Sequence, residues 1–192
     1  MMIGSRHVLA MAVMGLFLAG GRAMAQDSLL ANAGFEEGTG TVANSWTVFG
    51  KNTIRVSGDA RGGIYAGRAA GENTGTDNFG GFFQNVEAKA GEQWAASVWM
   101  EHKADDPLKG ACEAFAKIEF YDGNGDFLDA LESADRLTSG SSVDTYLRSG
   151  IVSIAPPKTA SVRIVAMFAQ FDGKSAGTVY FDDAELRRIE KK

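Results

Sequence analysis

The side chains in this chain best placed to do chemistry are carboxylates at its two ends. Leu29 to Glu37 (LLANAGFEE) sets Gly34-Phe35-Glu36 beside an apolar run, and Val179 to Leu186 (VYFDDAEL) sets Asp182 and Asp183 inside an alternating, strand-like pattern. Carboxylates are uncommon in strand interiors without a partner. If the first and last segments meet in one sheet, Glu36 converges with Asp182 or Asp183, and close anions repel. A hard cation relieves that repulsion, and Ca²⁺ takes carboxylate and backbone carbonyl oxygens. The expected ligands are Glu36, Asp182, Asp183, Asn32 and carbonyls from Asn32 to Phe35. The same residues also read as a solvated turn with an edge-strand acid, and both readings stand at this point.

Asp122-Gly123-Asn124-Gly125-Asp126 begins like a calcium loop, with oxygens at alternate positions. The loop chemistry also demands a Glu at the twelfth position, and Ser133 stands there. Asn124-Gly125 between two strand patterns is instead expected to form a type I′ hairpin turn.

The elements that must position these groups are strands. Short runs rich in Val, Ile, Phe, Tyr and Trp alternate with Gly-, Asn- and Asp-bearing breaks, and the 24 glycines suit many tight turns. Strands are predicted near Trp46 to Phe49, Ile54 to Val56, Phe79 to Val86, Gln93 to His102, Phe115 to Tyr121, Arg148 to Ile154, Ser161 to Gln170 and Thr178 to Arg188. Asp126 to Leu137 has irregular apolar offsets and reads as a short helix or an extended insertion. Eight such strands make an all-β, two-sheet antiparallel β-sandwich.

Alternation assigns faces. In Gln93 to Glu101, Trp94, Ala96, Val98 and Met100 share an apolar, core-facing side, leaving Ala95, Ser97, Trp99 and Glu101 outside. Ile118 and Phe120 face inward, with Lys117, Glu119 and Tyr121 opposite. Val162, Ile164, Ala166 and Phe168 face inward, with Arg163 outside. If these outward rows lie side by side, they form one patch of Trp99, Tyr121, Glu101, Glu119, Lys117 and Arg163. Such rows also arise as ordinary cross-strand charge pairs with a loop-covered Trp. Trp46 follows a turn and is expected as a core anchor. Phe79, Phe82 and Phe83 cannot all alternate inward, so at least one is expected at the rim of a cleft beside Gln84.

The N-x-G-F-E start and the Y-F-D-D-x-x-L end resemble the bracketing signature of carbohydrate-binding modules of families 4, 9, 16 and 22, which are galactose-binding-like jelly rolls. Phe83-Gln84-Asn85-Val86 with Lys89 to Trp99 is similar to the family's Q-x-V and pGxxYxxSxW segments, although Trp94 stands where the family usually has Tyr. Lys117 to Gly125 resembles its F-Y-D hairpin, and Ala155-Pro156-Pro157 through Ile164 its proline-led strand. The match covers roughly residues 28 to 188. It implies a jelly roll that recognises a poly- or oligosaccharide through an open sheet face. Trp99, Tyr121, Glu101, Glu119, Lys117, Arg163 and Gln84 are the candidate contacts, since sugar C–H faces stack on rings and hydroxyls pair with charged and amide groups.

Arg6 and His7, the apolar run Val8 to Gly20 and Ala23-Met24-Ala25 have the layout of a secretory signal peptide cleaved after Ala25. The run is short for a bilayer span. Residues 26–192 are then expected as one domain, secreted or periplasmic, with no membrane insertion. Cleavage removes Arg6 and Arg22 and no acid, so the formal charge of −5 becomes −7. That argues against nucleic acid and anionic membrane surfaces. The single Cys112 cannot form an internal disulfide and is expected to be a buried, inert thiol. Two other functions remain open. A module expected to act without an attached catalytic domain beyond Lys192 would suit a structural or adhesion role, binding a protein partner. A lyase or glycosidase would need Glu101 and Glu119 as a carboxylate pair; with Lys117 and Arg163 interleaved, both stay ionised, so a non-catalytic module is expected.

Overall fold

The computed structural model describes residues 28–71 and 75–190, so the expected signal peptide lies outside the described residues. Among the described residues there is no helix. The strands are β1 (Gly38–Thr39), β2 (Val42–Ala43), β3 (Thr47–Phe49), β4 (Thr53–Ser57), β5 (Tyr65–Ala70), β6 (Asn78–Glu87), β7 (Gln93–Glu101), β8 (Cys112–Tyr121), β9 (Phe127–Glu132), β10 (Leu137–Thr138), β11 (Leu147–Ile154), β12 (Ser161–Gln170) and β13 (Thr178–Ile189). All ladders are antiparallel. Sheet I runs β3-β6-β12-β8, with β9 and β10 both pairing with β8; sheet II runs β4-β5-β13-β7-β11; β1 and β2 form a small ribbon.

The inward rows form one core, with Phe82, Ile118, Phe120, Ile164 and Phe168 from sheet I against Trp94, Val98, Met100, Phe181 and Leu186 from sheet II. All ten are 1% exposed or less, which is the expected alternation. Trp46 is buried as expected, stacked on Phe35 at 4.8 Å with its Nε1–H donating to the Asn32 carbonyl at 2.8 Å.

Strand β5 (YAGRAA) is absent from the sequence reading because Ala and Gly carry little strand propensity. Tertiary packing forms it. A Cβ on Gly67 would stand 2.7 Å from Phe82 Cε2 and 2.9 Å from Phe35 Cε1, so only glycine lets these rings close on the sheet. The Asp126 to Leu137 segment is the extended insertion, contributing β9 and β10. Its leading turn differs from expectation. Gly125 has φ +86° while Asn124 is not left-handed, and Asp122 Oδ1 accepts the N–H groups of Asn124 and Asp126. A type I′ turn needs positive φ at both central residues; here the side chain of Asp122 organises the turn instead.

The N-terminal segment runs between both sheets. Leu29 N–H donates to Leu186 O, Ala184 N–H to Ala33 O, and Ala31 exchanges two hydrogen bonds with the Gln84 amide. This brings the two ends of the chain together.

Candidate functional site

The outward rows of β6, β12 and β8 in sheet I lie side by side, as ladder partners: Asn85 opposite Arg163, and Arg163 opposite Glu119. Arg163 is the hub. Its Nε donates to Asn85 Oδ1 at 2.8 Å, and its Nη1 donates to the Tyr121 hydroxyl at 2.8 Å and to Glu119 Oε2 at 3.3 Å. Its guanidinium lies 4.0 Å from the centre of Phe83 and 4.4 Å from that of Tyr121, so two rings hold one cation between them. Tyr121 donates to Glu119 Oε2 at 2.6 Å, and Lys117 Nζ pairs with Glu119 Oε1 at 2.9 Å.

Burial pushes the Glu119 carboxyl up, but the hydrogen bonds of Tyr121 and Lys117 and the charges of Lys117 and Arg163 outweigh it and hold the group below the usual range. Burial, with the Glu119 carboxylate beside it, pushes the Tyr121 hydroxyl up to about 12. The face therefore presents an ionised carboxylate, protonated donors and aromatic rings. Exposed rings stand at its two ends, Phe79 against Phe171 and Phe127 against Tyr121. Sequence reasoning singled out Tyr121, Glu119, Lys117 and Arg163 but not Phe83 and Asn85 as members. Their outward alternation along β6 was the available signal.

The expected single patch is split. Trp99 and Glu101 point outward from β7, which belongs to sheet II, so they lie on the opposite side of the sandwich from Tyr121 and Glu119. Alternation fixes which face of a strand is outward; it does not say which sheet the strand joins, and the connection from β7 to β8 crosses between sheets. Trp99 is covered by the Arg61 guanidinium at 3.9 Å, and Glu101, 2% exposed, pairs with Lys103 at 2.6 Å. Gln84 also departs from expectation: it faces inward and spends its amide on Ala31. His102 is fully buried, its Nδ1 accepting the Leu108 N–H and its Nε2 facing the Ser141 carbonyl. Cys112 is buried, and that burial pushes its thiol up to about 11, an inert state.

At the other cluster the termini do converge. Asp182 and Asp183 sit where the β13–β7 register shifts, with Asp183 at φ +44°, so a bulge aims two consecutive carboxylates at one loop. Asp182 Oδ2 accepts the N–H groups of Arg61 and Gly62, Glu36 Oε1 accepts those of Ile64 and Tyr65, and Asp183 pairs with Arg61. Burial, with a smaller contribution from Asp183, pushes the Asp182 carboxyl up to about 6 although three N–H groups oppose it. A Cβ on Gly34 would sit 3.5 Å from Asp182 Oδ1, 3.6 Å from Asp183 Oδ1 and 4.0 Å from Glu36 Cγ, so the glycine leaves a cradle bordered by all three acids. The donor chemistry fits a hard cation. Among the described residues, however, no three His, Cys, Asp or Glu side chains gather closely enough to hold a metal ion by themselves. Asn32 does not contribute: its amide closes the turn with Glu37 and Asn44, and its carbonyl accepts from Phe35 and Trp46. Arg55, which sequence reasoning missed, fixes this loop by donating to the carbonyls of Phe35, Glu36 and Gly40 from a buried position.

No protein-family model matches the chain, and no curated protein matches it. Solved structures do. A β-1,4-galactotriose complex of the module TmCBM61 aligns at TM-score 0.56 and 20% identity, over 85% of this chain and 100% of that one. The CBM22-1 xylan-binding domain of Paenibacillus barcinonensis Xyn10C aligns at 0.56 and 16%, over 83% and 94%. The enzymatically active domain of bacteriophage CBA120 tailspike protein 4 aligns at 0.58 and 14%, and this chain spans 84% of itself but only 21% of that chain. These likenesses establish that the chain has the two-sheet, galactose-binding-like jelly-roll fold of carbohydrate-binding modules.

Proposed function

We propose that this protein is an exported, non-catalytic carbohydrate-binding module that receives a poly- or oligosaccharide on the outer face of sheet I. The observation that carries the reading is the Arg163 cluster. Rings of Phe83 and Tyr121 flank a guanidinium, with Glu119, Lys117 and Asn85 in the same hydrogen-bonded network. Rings offer surfaces for sugar C–H faces, and the charged and amide groups offer donors and acceptors for hydroxyls. The similar modules described with galactotriose and xylan support the ligand class.

A catalytic pair is disfavoured by placement. Glycoside hydrolysis needs two carboxyls within about 10 Å across one bond. Glu101 and Glu119 face outward from opposite sheets, which themselves stack about 10 Å apart. Glu119, held ionised, has no proton to give.

We also propose a structural Ca²⁺ at the Gly34 cradle, taken by Asp182 and Asp183 with Glu36 beside them. Its contribution would be to neutralise adjacent carboxylates and fix the 58–64 loop. A glycan array on the purified protein, followed by titration of the best binder against Tyr121→Ala, tests the carbohydrate reading; no binding to any glycan rejects it.

A further inference from the structure

Sheet II ends in two unlike edges. At the β4 edge, Arg55 N–H donates to Thr41 O at 2.8 Å, so the β1–β2 ribbon covers the strand. At the β11 edge, β7 is the only ladder partner among the described residues. The register tells which groups are left over. Ala155 N–H donates to Glu92 O, one step past the Ile154–Gln93 pair, and Leu186, opposite Ala96, turns its C=O to Leu29 instead of β7. Ser149, Ile151 and Ser153 therefore bond to β7, and Arg148, Gly150, Val152 and Ile154 turn their N–H and C=O groups outward. No strand among the described residues receives them.

Such a row is a template for pairing with another chain, and proteins ordinarily guard it with an edge lysine, a proline, a bulge or a very short strand. β11 has none of these. It runs eight residues (LRSGIVSI) without proline or register shift, and Val152 and Ile154 stand 53% and 63% exposed on it. Its one charge, Arg148, is turned back over its own sheet to Ser97 Oγ and Glu185, each at 2.9 Å. The edge strands of sheet I differ: β3 has three residues, β10 has two, and β9 carries a register shift with Asp129 and Glu132. The sequence of β11 also makes it its own complement. Laid antiparallel on a second copy, about a two-fold axis at Ile151, it sets Gly150 of each copy opposite Val152 of the other, and Arg148 opposite Ile154. Every outward-turned group on both strands is then paired. Val152 meets the position where Gly150 leaves a recess of about 240 Å³ over Ala95 and Ser97. Ile154 lies along the aliphatic stem of Arg148, and the two Arg148 charges stand at opposite ends of the junction. Sliding the copies one way brings Pro156, which has no N–H, against Arg148; sliding them the other way leaves Ile154 unpaired.

We propose that β11 is the interface of a homodimer, in which two copies pair edge to edge through Arg148–Ile154 and fuse their five-stranded sheets into one. The two-fold axis stands normal to that sheet, so both copies of sheet I lie on the same side of it. The face proposed above for a glycan then occurs twice, pointing one way, and the dimer meets a polysaccharide bivalently. That consequence rests on the sheet I reading; the pairing does not.

Sedimentation of the purified protein over a concentration series from roughly 1 µM to 1 mM tests the pairing without any glycan. The mass should rise from one chain to two and stop there, because the β4 edge is covered. Val152→Lys puts a charge on the open edge and should weaken dimerisation at least about tenfold, while melting as the parent does at the dilute end of the series. Val42→Lys, at a valine 60% exposed on the β1–β2 ribbon, should dimerise as the parent does. The axis sets Ile151 against its own copy in a non-hydrogen-bonded pair, with Cα atoms about 4.5 Å apart and within reach of a disulfide. Ile151→Cys should therefore oxidise to a covalent dimer, whereas the parent, whose one cysteine is the buried Cys112, should not. The proposal is overturned if the protein stays monomeric at the top of the series or assembles past two chains. It is also overturned if folded Val152→Lys dimerises undiminished, if both lysine variants weaken association equally, or if a dimeric Ile151→Cys fails to cross-link. Failure of the sheet I reading leaves the sedimentation result standing, because β11 and that face share no residue.

Discussion

Comparing Tyr121→Ala with Tyr121→Phe separates ring stacking from hydrogen bonding on the sheet I face. The ring meets Phe127 edge-on at 5.9 Å and the Arg163 guanidinium at 4.4 Å, and its hydroxyl donates to Glu119 and accepts from Arg163. Tyr121→Ala forfeits about 1 kcal/mol for the aromatic pair, about 0.5–1 for the cation contact at a half-buried site, and about 1 for the hydrogen bonds. Glu119 keeps Lys117 at 2.9 Å and Arg163 at 3.3 Å, so it is not orphaned. The stability loss should therefore total roughly 2.5–3 kcal/mol. If the ring is a contact of the hot-spot kind, its removal costs the glycan about 2 kcal/mol, or about 30-fold in Kd. Tyr121→Phe keeps the ring and should lose about 1 kcal/mol of stability with less than about fivefold in affinity. Trp99→Ala, on the opposite sheet, should leave glycan affinity unchanged. Calorimetric titration gives the affinities and urea unfolding the stabilities. If Trp99→Ala weakens the glycan as much as Tyr121→Ala does, or if Tyr121→Phe loses as much as Tyr121→Ala, the assignment of the face or of stacking is refuted.

Calcium at 100 times its Kd should stabilise the protein by about 2.7 kcal/mol, and EDTA should lower Tm by the matching amount; an unchanged melt with no metal by elemental analysis rejects the site. The Asp182→Asn, Asp183→Asn double variant should remove the calcium response. Trp46→Ala and Trp94→Ala should each cost about 3–5 kcal/mol in denaturant melts, as large-to-small core changes do, whereas Trp99→Ala should cost less. No polysaccharide should be turned over in reducing-sugar or unsaturated-product assays; turnover abolished by Glu119→Gln or Glu101→Gln with binding intact would establish an enzyme instead.

What could be read from the sequence alone was whatever depends on neighbours within a strand. Period-two alternation placed Trp94, Val98 and Met100 inward and Tyr121, Glu119 and Arg163 outward, because adjacent residues of a pleated strand point to opposite faces. The paired GFE and FDD segments likewise raised the expectation that the two ends of the chain come together, and Ala33 and Ala184 do pair, with Gly34 beside Asp182 and Asp183. Sheet membership decided the rest. Trp99 and Tyr121 look equivalent in one dimension, and the crossover between β7 and β8 puts a whole sandwich between them. Strand β5 is held by its ladders to β4 and β13, with Phe35 and Phe82 packed so closely over Gly67 that a side chain there would clash. Gln84 shares the inward row of β6 with Phe82, and only the fold supplies Ala31 to satisfy its amide there, while Asn32 is consumed by its own turn. That Arg163 meets Glu119 and Tyr121 is likewise a tertiary property. Whether an arginine has a carboxylate within reach is set by which strands the fold places beside it, and local sequence carries no record of that.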